Sequence, residues 1–316
     1  MEVQTNMAMD APVSGSSSLG RRWSSPKAGG TTGRFRFDRA ALLMLPAVLM
    51  ILAVFAYPVA VILLRSFTHH SGDDSGVFAN FVWYLGEPVQ RTILIRTVMT
   101  SAVVTILCLL VCYPFAYVLT RLKGGWLAVA LGIVLVASGQ SILVRTFAWK
   151  VLLRDNGPVN DVLGLVGLGP FEMLGTTFGV TVAMCHVMAP FMILSLYAGM
   201  RGIDRRLMDA ALSLGASPIA TFRRVYLPLS LPGVAAGALL VFVLSLGFYI
   251  TPAVVGSPQN SLLSQAIVNE IRSKLDWGHA GAMALTLLVV TMVLMGIAAA
   301  VLNRRLQVAA GRGVGR

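Results

Sequence analysis

The residues of this chain that could do chemistry are few, and they lie inside long apolar stretches. Cys185 and His186 are neighbours in one stretch, and Cys108 and Cys112 lie in another. A metal site needs more ligands than this, and a catalytic nucleophile needs a base that a carboxylate orients. No such set accompanies these residues, and the sequence has no H-E-x-x-H motif. We therefore interpret the three cysteines as small core residues and expect neither a catalytic site nor a metal site.

Polar and aromatic residues inside apolar stretches are candidates for a path through a membrane. His186 precedes Pro190, so its ring could satisfy backbone carbonyls that the proline leaves free, or it could line the path. Gln140 and Ser141 could join helices or line the path. A later group could close a gate or stack on a cationic amine, or could simply pack in the core or against lipid. It comprises Phe242, Ser245, Phe248 and Tyr249.

The elements that must position these residues are membrane helices. The chain of 316 residues is 56% hydrophobic and only 12% charged, which excludes both a soluble globular domain and a disordered chain. Spanning a bilayer takes about 20 apolar residues in a helix. Six segments without Asp, Glu, Lys or Arg are long enough, namely 40–64, 97–120, 124–144, 173–200, 231–255 and 280–303. We predict an all-α membrane protein with six transmembrane helices.

A further helix is predicted after the fifth span, beyond a break at 256–260 that is rich in Gly, Pro and polar residues. Leu263, Ile267, Ile271 and Leu275 recur there at four-residue spacing and form one apolar stripe. Such a stripe is suited to lying on the membrane surface or on neighbouring helices.

The basic residues indicate the orientation of the spans. If both termini are cytoplasmic, 17 of the 25 Lys and Arg residues lie inside and the whole net charge of +12 lies on that side. This is the positive-inside distribution, so we predict N-in/C-in topology and no nucleic-acid partner. Residues 1–38, rich in Ser, Gly and Arg, are expected to form a disordered cytoplasmic tail, and 306–316 a second tail, around a six-helix domain at 39–305. Charged residues outside the spans are expected to form a solvated face or to bind an outer partner: Arg145, Lys150, Arg154, Asp155 and Asp161.

The cytoplasmic segment 201–230 has the pattern of a short helix, a turn and a second helix. Gly215 can adopt the left-handed conformation that ends the first helix, Ser217 can cap the second, and Pro218 suits its first turn. Pro228 is expected to separate this unit from the fifth span. Small residues at 210 and 211 would let another protein pack closely, with charge around them. The residues singled out are Asp209, Ala210, Ala211, Gly215, Ser217, Pro218, Arg223, Leu227 and Pro228.

This segment resembles the EAA loop of ABC-importer permeases, in which E-A-A is followed by three residues, Gly, nine residues, Ile, any residue and Leu-Pro. Here Asp209-Ala210-Ala211 is followed at the same spacing by Gly215, Val225, Leu227 and Pro228, with Asp in place of Glu and Val in place of Ile. The six-span plan is similar to the type I (MetI-like) importer permeases. The stretch 143–157 resembles the polyamine (spermidine/putrescine) subgroup, and permeases for opines, aminophosphonates and other small solutes are similar there.

The resemblance implies a permease subunit in the bacterial inner membrane. Residues 209–228 would dock as a coupling helix on a cytoplasmic P-loop ATPase dimer, a second and paralogous permease subunit would complete the channel, and a periplasmic binding protein would deliver the substrate. The chain has no G-x-x-x-x-G-K-[ST] motif, so ATP and Mg would be bound by the ATPase and this chain would need no cofactor. A secondary transporter would need an intramembrane carboxylate, and a membrane enzyme a catalytic constellation; neither is evident in the sequence.

Overall fold

The computed structural model describes the backbone of residues 39–68 and 76–311, and the side chains of residues 45–67 and 76–300. The tail predicted at 1–38 lies outside the described residues. The chain divides into two units, Met1–Ala53 and Val54–Arg316. The described residues of the first unit, 39–53, are helical, and those whose side chains are described are exposed. The packing interactions described here belong to the second unit.

The described residues form helices joined by turns and irregular segments, with no strand among them, which confirms the all-α prediction. In chain order these are α1 (Arg39–Thr68), α2 (Ala79–Gly86), α3 (Pro88–Leu119), α4 (Gly125–Gly139), α5 (Ile142–Leu152), α6 (Pro158–Leu165), α7 (Thr177–Met200), α8 (Arg206–Ser213), α9 (Pro218–Thr221), α10 (Leu227–Leu246), α11 (Ile250–Val255), α12 (Leu263–Asn269) and α13 (Trp277–Gly311). Two π-helical turns, Phe222–Tyr226 and Glu270–Lys274, and a 3₁₀ turn, Pro258–Asn260, lie between them.

Five helical segments are long and apolar enough to span a membrane, and the bent pair α4 and α5 supplies the sixth. The five are Leu45–Phe67, Pro88–Leu119, Thr177–Met200, Pro218–Leu246 and Trp277–Ala300. The ends of these helices differ from the predicted ends, most of which were set at the nearest charged residue. A helix can continue past a charged residue once it has left the hydrocarbon core of the bilayer. The second span, for example, begins at Pro88 instead of residue 97, because proline is favoured at the first position of a helix.

The third span, predicted at 124–144, is not one continuous helix. The helix α4 ends at Gly139 and α5 begins at Ile142 after a bend of 90°. Gln140 and Ser141 between them have extended ψ angles of 147° and 129°. The guanidinium of Arg145 donates to the Gln140 carbonyl at 3.2 Å, so it satisfies a backbone acceptor that the break exposes.

The fifth span is also shifted from its predicted bounds, 231–255. Its helix ends at Leu246, and α11 starts separately at Ile250. In a continuous helix Pro252 would clash with the carbonyl of Phe248. After the break, that carbonyl accepts a hydrogen bond from Ser264 Oγ at 2.8 Å.

The main core is formed by α3, α7 and α10, whose apolar faces meet around buried Met184, Met188 and Val241. The backbones of α7 and α10 cross in close contact: a β-carbon added to Gly199 would lie 2.4 Å from Gly233 Cα. Glycine is required at such a crossing because any side chain would separate the helices.

The cysteines lie within this core, as predicted. Cys108 and Cys112 are buried, and Cys185 is half-buried. The Sγ atoms of Cys108 and Cys185 are 3.3 Å apart, and both are free thiols. They pack α3 against α7.

A second apolar cluster joins α2, α12 and α13 through buried Tyr84, Leu263 and Met283. Burial raises the pKa of Tyr84 to about 12, so its phenol is neutral at physiological pH. The predicted stripe on α12 therefore packs on neighbouring helices. It does not extend to Leu275, which is 71% exposed and has a left-handed φ of 56°, because the π turn at Glu270–Lys274 changes the residues per turn and breaks the four-residue register.

The topology predicts the activity of fused reporters. A reporter that works only in the periplasm should be active when fused after Asn156, in the turn that follows α5, and silent when fused after Arg206, at the start of α8. The reason is the positive-inside distribution of charge. Enzyme activity in cells, normalised to the amount of fusion protein, measures this. Activity of the fusion after Arg206 would place segment 201–230 in the periplasm and contradict the predicted topology.

Candidate functional site

The first candidate site is segment 201–230, which is predicted to be cytoplasmic and in which α8 ends as the sequence predicts. Gly215 has φ of 83°, the left-handed conformation that glycine adopts without strain. Its N–H donates to the Leu212 carbonyl at 2.9 Å, and the N–H of Ala216 donates to the Ala211 carbonyl at 3.1 Å. This pair of bonds is the Schellman motif, which sets the direction in which the chain leaves α8.

The second helix of the segment also begins as predicted. Ser217 Oγ accepts from the Ala220 N–H at 3.3 Å, and Pro218 occupies the first turn. The expected separation at Pro228 is wrong, however, because the helix runs from Pro218 to Leu246. The π turn at Phe222–Tyr226 explains this: the Leu227 N–H bonds to the Phe222 carbonyl, five residues back. The wider turn lets the helix pass Pro228 without the usual clash.

The tip of the segment presents apolar side chains to its surroundings. Leu214 is 88% exposed and Ile219 is 72% exposed. Exposed apolar residues grouped in this way mark an interaction site when polar groups surround them. We call this tip, with the ends of α8 and α9, the α8–α9 surface. Its exposed polar and small residues are Arg205, Arg206, Asp209, Ala210, Arg223 and Arg224.

The EAA-like residues are distributed over this surface. Asp209 makes no ion pair within the described part of the chain, so its carboxylate can meet a partner. Ala210 is exposed and Ala211 is half-buried, while Leu227 and Pro228 lie further along, on the exposed side of the helix that continues into the membrane.

An aromatic cluster that the sequence analysis missed anchors the α8–α9 surface to the membrane helices. Tyr117 of α3 contacts Phe222 and Tyr226 of the π turn edge-on, with ring centroids 5.8 and 4.9 Å apart. Tyr113 contacts Phe222 and hydrogen-bonds to Ser230 Oγ at 2.9 Å. The spacing of the aromatic residues could have indicated this cluster. Both segments carry aromatic residues four positions apart, and this spacing places two rings on one helix face.

The second candidate site is a cavity of about 390 Å³ at the break between α4 and α5. It brings together Gln140, Ser141 and His186, three of the residues predicted for the membrane path. Trp149 lines it too and contacts the His186 ring edge-on at 5.7 Å. We call it the inner cavity.

Two interpretations of residues at the inner cavity are wrong. His186 is exposed and makes no hydrogen bond to backbone carbonyls near Pro190, because its position on α7 points away from the core that adjacent Cys185 faces. Arg145 is not on a solvated face, because it is only 6% exposed and lines the cavity. Its Nε has no hydrogen-bond partner within the described residues.

The aromatic group near the fifth span is not brought to one place. Tyr249 lines a cavity of about 530 Å³, which we call the outer cavity. Phe242 is half-buried, Ser245 is fully buried, and Phe248 packs against the main core; these three line neither cavity. The α5 and α11 helices, which border the two cavities, are joined by buried Thr146 and Thr251, whose Oγ1 atoms are 3.1 Å apart.

Comparison with known proteins assigns the chain to a family. Residues 28–308 match the family described as "Binding-protein-dependent transport system inner membrane component". The chain belongs to this family. It is therefore a multi-pass permease subunit of the bacterial inner membrane, with the type I importer (MetI-like) fold.

Relatives with curated descriptions are similar over most of the chain. The spermidine/putrescine transport system permease protein PotB of Haemophilus influenzae is 30% identical over 228 residues, 71% of this chain and 80% of that protein. PotB of Escherichia coli is 28% identical over 226 residues, 70% of this chain and 82% of that protein. These matches place the chain in the polyamine subgroup of these permeases.

A solved structure has the same fold. A bacterial ABC transporter involved in the import of the acidic polysaccharide alginate superposes with a TM-score of 0.68 at 19% identity, covering 84% of this chain and 96% of that chain. Within the described residues of the present chain, no three potential metal ligands lie together.

Proposed function

We propose that this chain is a permease subunit of an ATP-driven importer for a small cationic amine of the polyamine type. A separate cytoplasmic ATPase dimer binds ATP and Mg and docks on the α8–α9 surface. A second permease subunit, a paralogue, completes the path, and a periplasmic binding protein delivers the substrate.

The observation that carries the proposal is the construction of the α8–α9 surface. The apolar tip of this surface is exposed, and the Schellman motif at the end of α8 sets the direction of the chain that forms the tip. The aromatic cluster attaches the surface to α3 and to the helix that continues as α10. A partner that pushes on this tip therefore moves two membrane helices together, because the packed rings transmit displacement. This is the geometry that coupling to an external ATPase requires.

The substrate class is supported by the likeness to PotB and by the residues of the path. Tyr249 lines the outer cavity, and the face of an aromatic ring attracts ammonium groups. Gln140 and Ser141 add neutral hydrogen-bonding groups to the inner cavity.

Reconstitution of the complete transporter tests this function. Liposomes that contain both permeases and the ATPase, with ATP on the side of the ATPase and the binding protein on the other, should accumulate labelled spermidine or putrescine. Excess unlabelled polyamine should abolish the accumulation, and omission of the ATPase should reduce it to the leak. Absence of polyamine uptake, with no polyamine bound by the cognate binding protein, would exclude this substrate class.

A second candidate substrate class follows from Arg145. A buried guanidinium without an acidic partner among the described residues favours an anionic group in the inner cavity. An opine or aminophosphonate carries both an amine and an anion. Competition for uptake by these compounds, in place of polyamines, would favour this class.

A further inference from the structure

Two residues that line the outer cavity carry buried acceptor atoms that nothing in the described chain satisfies. Glu270 is 3% exposed, and its Oε2 has no hydrogen-bond partner. Gln90 is 8% exposed, and its Oε1 also lacks a partner. Both residues line the outer cavity, one from the π turn after α12 and the other from the first turn of α3. A buried acceptor without a donor is costly, most of all when it is charged.

The missing chemical group is a hydrogen-bond donor with positive charge. Lys274 already places its ammonium 2.8 Å from the other carboxylate oxygen, Glu270 Oε1. Its side chain is 57% exposed, so this lysine reaches the carboxylate from the rim. Arg272, the other charged residue of the lining, is exposed as well. The other carboxylate oxygen, Oε2, is buried and unpaired, so an ammonium that takes the place of Lys274 can meet the same carboxylate.

The cavity also has an aromatic wall. Tyr249 lines it from the break between α10 and α11, and an ammonium is attracted to the face of such a ring. The aromatic wall and the acceptor atoms favour the same ligand group. An anion would find donors at the rim, on Arg272 and Lys274, but none at Glu270, whose charge would repel it.

The backbone beside Glu270 is unusual in two ways. Glu270 begins a π-helical turn, and Leu275 after it has a left-handed φ of 56°. Leu275 is the one non-glycine residue with positive φ in the described parts of the chain. Rare backbone conformations of this kind concentrate at functional sites, where the surrounding structure holds them. Here they turn the carboxylate inward while the neighbouring Arg272 and Ser273 stay exposed.

We propose that Glu270, with Gln90 and Tyr249, forms an ammonium-binding site at the outer mouth of the permease, and that Lys274 is a tethered competitor for it. The site deepens the proposed function and rests on it in one respect, namely that the transported solute carries an ammonium group. Substrate released by the binding protein would exchange with the lysine ammonium on the carboxylate before it enters the path.

The test measures ligand protection of a thiol in the cavity. Ser261 lines the outer cavity, is half-buried and makes no side-chain hydrogen bond to the described residues, so Ser261→Cys is a suitable labelling background in the complete transporter. The label is a membrane-impermeant cationic methanethiosulfonate, and the chain without Ser261→Cys gives the background labelling. Putrescine and methylammonium are the two protecting probes. We expect both to slow labelling.

Glu270→Gln should raise the half-protecting concentration roughly tenfold or more, as the loss of a hydrogen bond to a charged group predicts. Lys274→Met should lower that concentration by about two- to fivefold, because it removes the competitor and leaves the buried carboxylate with the ligand ammonium as its cationic partner. Glu172→Gln is the matched control, an exposed carboxylate on the same side of the membrane, and should change nothing.

The two substitutions are expected to change the half-protecting concentration in opposite directions, and this difference distinguishes a binding site from a structural ion pair. If Glu270 and Lys274 only stabilised the fold, both substitutions would weaken protection together, and that result would overturn the proposal. Unchanged protection in Glu270→Gln would also overturn it. If the wild-type transporter fails to import polyamines while methylammonium still protects in a Glu270-dependent way, the substrate class is wrong and the ammonium site stands.

Discussion

Replacing Gly199 by alanine should destabilise the permease by roughly 1–3 kcal/mol, the cost of overpacking a well-packed contact. The new β-carbon would lie 2.4 Å from Gly233 Cα, and the obstacle is backbone, which cannot rotate away. The α7 and α10 helices would therefore have to separate, and they would lose the close contact on which helix association in a membrane depends. The midpoint of thermal unfolding of the purified protein in detergent measures the effect.

Gly296→Ala is the matched control for this substitution. Gly296 lies within α13, and a β-carbon there would meet nothing within 4 Å. Both changes replace a helical glycine by alanine, so both gain the same helix propensity. The difference in their midpoints then reports the contact alone. Equal midpoints for the two variants would show that the α7–α10 crossing is looser than the structure indicates.

Replacing Gly215 by valine should leave the permease in the membrane but reduce ATP-driven uptake roughly tenfold or more. At φ of 83°, a residue with a β-carbon pays about 1–2 kcal/mol, and a β-branched residue is disfavoured further. The chain should leave α8 in another direction, so the α8–α9 surface would no longer fit the ATPase. Uptake, ATPase stimulation and co-purification of the ATPase should fall together.

Two variants make the test specific to backbone conformation. Gly215→Asn should retain most uptake, because asparagine tolerates the left-handed region. Gly202→Val, in the same cytoplasmic segment, should resemble the wild type, because Gly202 lacks a positive φ and a β-carbon there meets nothing within 4 Å. Normal uptake by Gly215→Val would exclude the proposed coupling role of this turn.

The break in the fifth span shows how far sequence patterns reach. A run without charges from residue 225 to 269 indicates that a helix can enter the membrane, because insertion depends on the summed transfer free energy of consecutive residues. It does not indicate where the helix stops. The helix stops before Pro252 because the proline ring would clash with the carbonyl of Phe248. That carbonyl accepts a hydrogen bond from Ser264, which belongs to a different helix.

Buried charged residues also show what sequence patterns do not predict. Arg145 was expected on a solvated face or at an outer partner, and Glu270 lies outside the predicted spans, where solvation is the ordinary expectation. The structure buries both, because the bend after α4 and the π turn after α12 direct them inward. Neither bend follows from hydrophobic periodicity, since each depends on hydrogen bonds that only the folded chain supplies.

The sequence by itself determined the all-α class, the apolar segments and the local geometry at Gly215 and Ser217, and it predicts the orientation of the chain. These features depend on composition, on charge along the chain and on backbone preferences within a few residues. Only the tertiary structure decided which distant residues meet: Gly199 with Gly233, Tyr117 with Tyr226, and Gln90 with Glu270 around one cavity. The physical reason is that an apolar or polar pattern specifies which residues leave water, whereas packing and hydrogen bonding between helices select the neighbour that each one contacts.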